Sequence, residues 1–317
     1  MKILLIHNQY QQPGGEDSVF KAERELLSKY GHKVEYMIYH NSAIKTLLDK
    51  VVFGLKTIYN PDSAKALANK IRDFNPDVIH VHNFLPIVSP SILFTAKKHS
   101  IPVVLTLHNY RLICPSATLF YHGKIYEKSI HSQFPFDAIW KGVYRNSKTQ
   151  TAIVALMTTI HRFLGTWQNK VDRYITLTQF GRNRFENSIL ALETKKFCVK
   201  PNFVEDYGNA TNEREDFFLF IGRLSEEKGI RTLLKAASLH NFRLTIIGDG
   251  PLKQMVEEST QRNPLIRYLG FQGKAVIKDN LKRCKALIFP SIWYESFGLT
   301  IIEAFSTGTP VIASNLG

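Results

Sequence analysis

Residues 77–108 read DVIHVHNFLPIVSPSILFTAKKHSIPVVLTLH. Two short apolar runs, DVIHVH (77–82) and PVVLTLH (102–108), enclose a predicted helix near Pro90–His99. Neither run alternates strictly between polar and apolar residues. Continuous apolar runs belong to strands covered on both faces, as in a parallel sheet. Strand–helix–strand alternation of this kind predicts a doubly wound α/β domain.

The same rhythm extends in both directions. Upstream, KILLIH (2–7) reads as a buried strand that ends at the turn Pro13-Gly14-Gly15. A helix follows over Asp17–Tyr30, with Val19, Ala22, Leu26 and Leu27 on one face. Gly31 stops it and KVEYMIY opens the next strand. Helices are expected over 42–59 and 63–74. Downstream, residues 109–169 interrupt the pattern with aromatic and basic side chains, and two helices fit there, about 136–145 and 151–167. The α/β pattern resumes at RYITLT (173–178) and KFCVKPN (196–202). A polar, acidic stretch, 203–216, reads as a linker. A second α/β unit then fills 217–317, with strands at FFLFIG, FRLTIIGDG, IRYLGF, ALIFPS and PVIAS. The expected organisation is a first Rossmann-like domain over 1–202 and a second over 217–317.

Apolar residues make up 44% of the 317 residues and charged residues 21%, an ordinary globular composition in which disorder is not the default. Cys114, Cys198 and Cys284 form no close pair, so neither a zinc knuckle nor a disulfide framework is expected. Unpatterned cysteines fit a reducing compartment, the cytoplasm. The apolar run Ile3–Ile6 is too short for a signal peptide, and Thr151–Leu164 is interrupted by Thr158, Thr159, His161 and Arg162. The net charge of +14 is uneven: residues 1–200 hold 27 Lys+Arg against 14 Asp+Glu, leaving 14 against 13 for the rest. A basic first half attracts anionic lipid, phosphorylated substrate or nucleic acid. No nucleic-acid-binding module accompanies it, so charge alone supports that last reading and no nucleic-acid partner is expected.

Three glycine-bearing loops follow strands: Pro13-Gly14-Gly15, Gly222-Arg223-Leu224 and Gly248-Asp249-Gly250-Pro251. Glycines there let backbone N–H groups approach a phosphate. None matches the dinucleotide fingerprint or the P-loop. In GRLSEEKG (222–229), Arg223 and Lys228 could flank a diphosphate, or pair with Glu226 and Glu227 across a solvated loop. In PSIWYESFGLTIIEAFSTGTPVIAS (290–314), Glu303 sits among Ile301, Ile302, Ala304 and Phe305, where an unpartnered carboxylate is costly. Ribose hydroxyls could satisfy it. Glu295 precedes a helix expected from about Gly298. Eight helical rises would separate the two carboxylates by roughly 12 Å, which suits the two ends of an elongated ligand.

Taken together, PGGEDSVFKAERELLSKYGHKVEYM, VVLTLHNYRLICP, FIGRLSEEKGI, LTIIGDGPL, RYLGF and the 290–314 segment resemble glycosyltransferase family 4, of the GT-B fold. The pieces lie along the whole length in the family's order. The resemblance implies two Rossmann-like domains with a nucleotide-sugar donor in a cleft between them. It implies a retaining, metal-independent transferase with no cofactor. Glu303 would bind ribose hydroxyls, Glu295 the donor sugar, and Arg223 and Lys228 the diphosphate. The backbone of Phe297, Gly298 and Leu299 would contact sugar and phosphate. Gly14 and Gly15 would close over the phosphates, and His108 would lie at the reacting sugar. The acceptor would be a surface glycan or lipid-linked molecule at the inner face of a membrane, with the basic first half and its 109–169 insert against anionic lipid. His80 and His82 alternate along a strand like metal ligands, but no third ligand is evident nearby. The family pattern continues beyond PVIAS, so a second expectation is a C-terminally incomplete domain that binds the donor with impaired catalysis.

Overall fold

The computed structural model describes residues 1–9, 14–40, 54–210 and 213–316. Most of the helix expected over 42–59, and Pro13 of the first glycine loop, lie outside the described residues; residues 54–58 are helical. The chain divides into two compact units. One comprises Met1–Leu119 and Tyr126–Asn202, the other Phe120–Ile125 and Phe203–Gly317.

The elements up to Val199 are β1 (Lys2–Gln9), α1 (Gly15–Lys29), β2 (Lys33–His40), α2 (Pro61–Phe74), β3 (Val78–Asn83), α3 (Ser91–Lys98) and β4 (Val103–Leu107). A two-stranded hairpin follows, β5 (Phe120–Tyr121) and β6 (Lys124–Ile125). Then come α4 (Phe136–Lys141), α5 (Lys148–Phe163), α6 (Thr166–Asn169), β7 (Arg173–Thr176), α7 (Gln179–Glu186) and β8 (Phe197–Val199). Six strands form one parallel sheet in the order β2-β1-β3-β4-β7-β8. Leu4, Leu5, Ile6, Ile79, Val81 and Leu105 are fully buried at its centre, as the apolar runs require. α2 buries Ser63, Leu67, Ile71 and Phe74, the stripe of a 3.6-residue period. The strand order reverses between β1 and β3, and ligands bind beyond the carboxyl ends of strands at such a point. The β1–β3 register shifts between Ile6 and His7, which sets His7 opposite Asn83.

The second unit contains β9 (Glu215–Ile221), α8 (Ile230–His240), β10 (Leu244–Ile247), α9 (Lys253–Arg262), β11 (Ile266–Tyr268), α10 (Lys274–Arg283), β12 (Cys284–Phe289), α11 (Leu299–Phe305) and β13 (Val311–Ala313). Its parallel sheet runs β11-β10-β9-β12-β13, so the reversal lies between β9 and β12. β9 feeds both faces. Phe220 packs with Leu233, Leu234 and Ile246, whereas Leu219 and Ile221 pack with Leu281, Leu287 and Ala304. β9 starts at Glu215, inside the stretch read as linker, because Glu215 pairs with Arg283 and registers with Cys284. Among the described residues no helix is long and apolar enough to cross a membrane.

Candidate functional site

In the second unit, the loop 222–229 leaves the end of β9 and the segment 290–298 leaves the end of β12, the two strands flanking the reversal. Gly229 has φ +71°, and a Cβ built there would stand 1.9 Å from the carbonyl oxygen of Pro290. Only glycine permits that approach. The Ile292 N–H donates to the Glu227 carbonyl at 2.8 Å. These ties bring Lys228 to Glu295, where Nζ pairs with Oε1. Ser291 Oγ donates to the same oxygen at 2.8 Å. The ammonium also sits 5.2 Å from the Trp293 ring centroid and 5.6 Å from that of Phe289.

Pairing of Lys228 with its neighbours Glu226 and Glu227 is therefore not realised. Glu227 instead accepts the Ser225 hydroxyl at 2.5 Å. Arg223 is exposed and makes no ion pair among the described residues. The loops after β9 and β10 are laced by Gly222 N–H to Ile247 O (3.0 Å) and Leu224 N–H to Asp249 O (2.9 Å). Glu303 is half-buried on α11, and burial pushes its carboxyl above the usual range against the opposing pull of Lys274. Gly298 caps α11, which begins at Leu299; Leu299 N–H turns back to Phe297 O at 3.2 Å. The span from Glu295 to Gly298 is not helical. The 12 Å spacing expected from helical rise thus does not apply to the two carboxylates.

In the first unit the reversal point carries a dense set of polar groups. Gly14 is the N-cap of α1, Gly15 is its first residue, and the Gly14 N–H donates to Asp17 Oδ2 at 2.7 Å. His7 Nε2 bonds Asp17 Oδ1 at 2.9 Å. Burial works to raise the Asp17 carboxyl, but the bonds from His7 and Gly14 outweigh it and hold it below its ordinary value. His108 follows β4 and is buried; its Nε2 meets His82 Nδ1 at 3.0 Å. Burial, reinforced by His7, His80 and Lys200, pulls His108 down to about 3. His108 and His82 line a small pocket of about 30 Å³ together with Asn83, Thr106, Asn109 and Arg111. A larger cavity, ≈ 320 Å³, opens at Met1, Lys33 and Asp77, the amino ends of the strands and away from these groups.

A third potential ligand does stand beside His80 and His82. Glu23, buried on α1, lies 3.7 Å from His80 Nδ1 and 3.5 Å from His82 Nε2. The expectation that no such group was near is corrected, because α1 folds this carboxylate onto β3 from 57 residues upstream of His80. Lys200 Nζ sits 3.1 Å from Glu23 Oε1 and already supplies the positive charge that a cation would bring.

The sequence profile described as Glycosyltransferase Family 4 matches residues 14–206, and that of Glycosyl transferases group 1 matches 204–317. The chain belongs to glycosyltransferase family 4. A relative from Klebsiella pneumoniae, an uncharacterized 42.6 kDa protein in the cps region, is 26% identical over 93% of this chain and 74% of its own. The O-antigen chain mannosyltransferase C of Escherichia coli is 32% identical over 32% of this chain and 29% of its own. Among solved structures, that of Anabaena Alr3699/HepE in complex with UDP covers 100% of this chain and 81% of its own, at 18% identity and a TM-score of 0.65. The fold is accordingly that of the GT-B glycosyltransferases.

For this family 4 glycosyltransferase, sequence reading missed Glu16 and Glu23. Asn109 Nδ2 donates to Glu16 Oε1 at 3.0 Å, while Glu16 Oε2 is buried with no hydrogen-bond partner among the described residues. Burial pushes this carboxyl up, against the Asn109 hydrogen bond. The signal that could have found Glu16 was its place directly after Gly14-Gly15. Glu23 had a weaker one: a carboxylate on the same helical face as Val19 and Phe20.

Proposed function

We propose that the chain transfers a sugar from a nucleoside-diphosphate-sugar to a glycan or lipid-linked acceptor with retention of anomeric configuration. The observation that carries this reading is the meeting of Lys228, Glu295 and Ser291 at the switch point of the second sheet, with Arg223 exposed on the same loop as Lys228. A cation held between an acidic group and two aromatic rings, with an exposed guanidinium on the same loop, suits a diphosphate at one end and sugar hydroxyls at the other. Glu303, with its carboxyl destabilised by burial, gains most from ribose hydroxyl donors. The backbone of Phe297, Gly298 and Leu299 adds donors to the sugar and phosphate. The UDP found in the Anabaena relative supports a nucleotide ligand.

In this reading the bond from the anomeric carbon to the β-phosphate oxygen breaks, and Arg223 and Lys228 stabilise the charge left on the diphosphate. The acceptor oxygen then bonds to the same face of the sugar, and its proton passes to the departing phosphate. His108 receives the reacting sugar. Gly14 and Gly15 let backbone approach the phosphates. Nothing among the described residues stands within 4 Å of a Cβ built on Gly14, so the fold itself does not demand glycine there. No metal is required, because the cationic work falls to Arg223 and Lys228.

We place the protein at the cytoplasmic face of a membrane, with its basic first unit toward anionic lipid. The test of function is a thermal-shift screen of UDP-, GDP- and ADP-sugars with EDTA present, followed by radiolabel transfer to lipid-linked acceptors. One nucleotide-sugar should raise the unfolding midpoint. A midpoint indifferent to every donor rejects the assignment.

A further inference from the structure

Behind His108 lies a set of buried groups with no role in the scheme above. The two oxygens of Glu23 are divided between neighbours. Oε1 takes Lys200 Nζ at 3.1 Å and lies 3.7 Å from His80 Nδ1. Oε2 faces His82 Nε2 at 3.5 Å, a contact of charge rather than a hydrogen bond, since this buried nitrogen has no hydrogen-bond partner among the described residues. The other nitrogen of His82, Nδ1, lies 3.0 Å from His108 Nε2, and the two rings are within 22° of parallel. His80 is anchored elsewhere, through Nε2 to the Thr106 hydroxyl at 2.7 Å.

Burial holds His82 and His108 well below the ordinary histidine range, and the neighbouring histidines and Lys200 push the same way. Each ring is therefore neutral at physiological pH and carries one N–H. Two neutral imidazoles sharing one hydrogen bond have two proton arrangements. In the first, His82 Nδ1–H donates to His108, which leaves the His82 Nε2 lone pair facing the Glu23 carboxylate. In the second, His82 Nε2–H points at Glu23, His82 Nδ1 accepts from His108 Nε2–H, and His108 Nδ1 is left as a bare lone pair. An ionised carboxylate only accepts, so it repels the first arrangement and attracts the second. The low local dielectric enlarges that difference.

We propose that Glu23 and His82 are positioning residues that lock His108 in its Nε2–H tautomer and so present Nδ1 as a hydrogen-bond acceptor for a donor-sugar hydroxyl. The final clause rests on the transferase reading; the tautomer does not. Lys200 completes the device by holding Glu23 Oε1, which leaves Oε2 for His82.

The test is a long-range ¹H–¹⁵N correlation spectrum of the full chain labelled at histidine, with His108 assigned through His108→Gln. The wild type should show His108 protonated at Nε2 and bare at Nδ1. In Glu23→Gln, Lys200 has only donors to offer and keeps the single amide oxygen, so the amide NH₂ faces His82. The relay then reverses, and His108 should change to the Nδ1–H form. Turnover in that variant should fall by about 100-fold through lost positioning of the reacting sugar with the donor KM little changed, a split that a merely structural lesion would not produce. His108 protonated at Nδ1 in the wild type overturns the proposal, as does an unaltered tautomer in Glu23→Gln. Should that variant fail to fold, the wild-type spectrum alone decides. A wild type with the expected tautomer but no transfer from any nucleotide-sugar sinks the transferase reading and leaves the relay standing.

Discussion

Lys228 sits where loss of one side chain has the most consequences. Its ammonium is shared between Glu295 and two aromatic rings, so Lys228→Ala removes a cation and leaves Glu295 with Ser291 as its hydrogen-bond donor. A charge-assisted contact to a diphosphate is worth about 1.5–3 kcal/mol, so donor affinity should fall by about tenfold or more. Glu303→Ala should weaken donor binding similarly while stabilising the empty protein, because it removes a carboxylate that burial disfavours. His108→Ala should instead lower turnover by about 100-fold through lost positioning of the reacting sugar, with donor affinity nearly intact. Titration calorimetry with donor, alongside initial rates, separates these outcomes; equal effects of all three on affinity would show that their roles are misassigned. Lys228, Glu295 and Glu303 were legible in the sequence because each stands in a short contiguous segment with a distinctive pattern. Glu23 was not. Its partner Lys200 is 177 residues away, and only the order of β1, β3 and β8 in the sheet brings them together.

At the scale of the element, the second-unit site depends on how closely the loop after β9 approaches the end of β12. Gly229 is the point of closest passage. An added methyl must push Pro290 away, and the left-handed φ of +71° costs about 1–2 kcal/mol more for any other residue. Gly229→Ala should therefore lower the unfolding midpoint and also weaken donor binding, since Lys228 moves away from Glu295. Gly31 supplies the control. Its φ is +80°, yet a Cβ there meets nothing within 4 Å. Gly31→Ala should cost the conformational term alone and leave donor binding untouched, measured by thermal melts with and without donor. Equal donor affinity in Gly229→Ala would mean that the close passage does not position Lys228. Most elements were legible from their apolar runs and periodicities. Their order in the sheets was not, because a strand's sequence says that both faces are covered but not which strands lie beside it. The hairpin at 120–125 escaped notice because its strands are two residues each, too short for any period to register.

At the scale of the whole molecule, charge and burial are unevenly shared. The first unit encloses His80, His82 and His108, all held below their ordinary value chiefly by burial. Unfolding frees them to bind protons, so their contribution to stability is complete above about pH 6.5 and is lost as pH falls below it. For His108 the window runs from 6.5 down to about 3. Each such group contributes about 1.4 kcal/mol per pH unit inside its window. Glu16, raised by burial, acts in the opposite sense and offsets part of the slope nearest its ordinary value of 4.5. Urea midpoints should fall between pH 7 and pH 5, and His108→Gln should flatten that fall; a pH-independent midpoint would contradict the buried neutral cluster.

The same unit carries nearly all the excess positive charge, and its α4–α5 insert turns large apolar side chains outward. Phe136 is 72% exposed, Trp140 76% and Phe163 75%, with Lys148 lying 4.0 Å from the Trp140 ring centroid and Arg162 beside Phe163. Aromatic rings fringed by cations suit the boundary between lipid headgroups and acyl chains, where ring and charge each find a partner. Their burial there would contribute about 1.5–3 kcal/mol per side chain, and the basic surface would add about 1 kcal/mol per cation near an anionic leaflet. The chain should therefore float with vesicles containing anionic lipid, less so with neutral ones, and salt should weaken the association. Trp140→Ser should reduce vesicle binding by about tenfold or more, without changing donor affinity. Flotation indifferent to lipid charge and to Trp140 would detach the membrane from this protein's function and leave the sugar transfer unaffected.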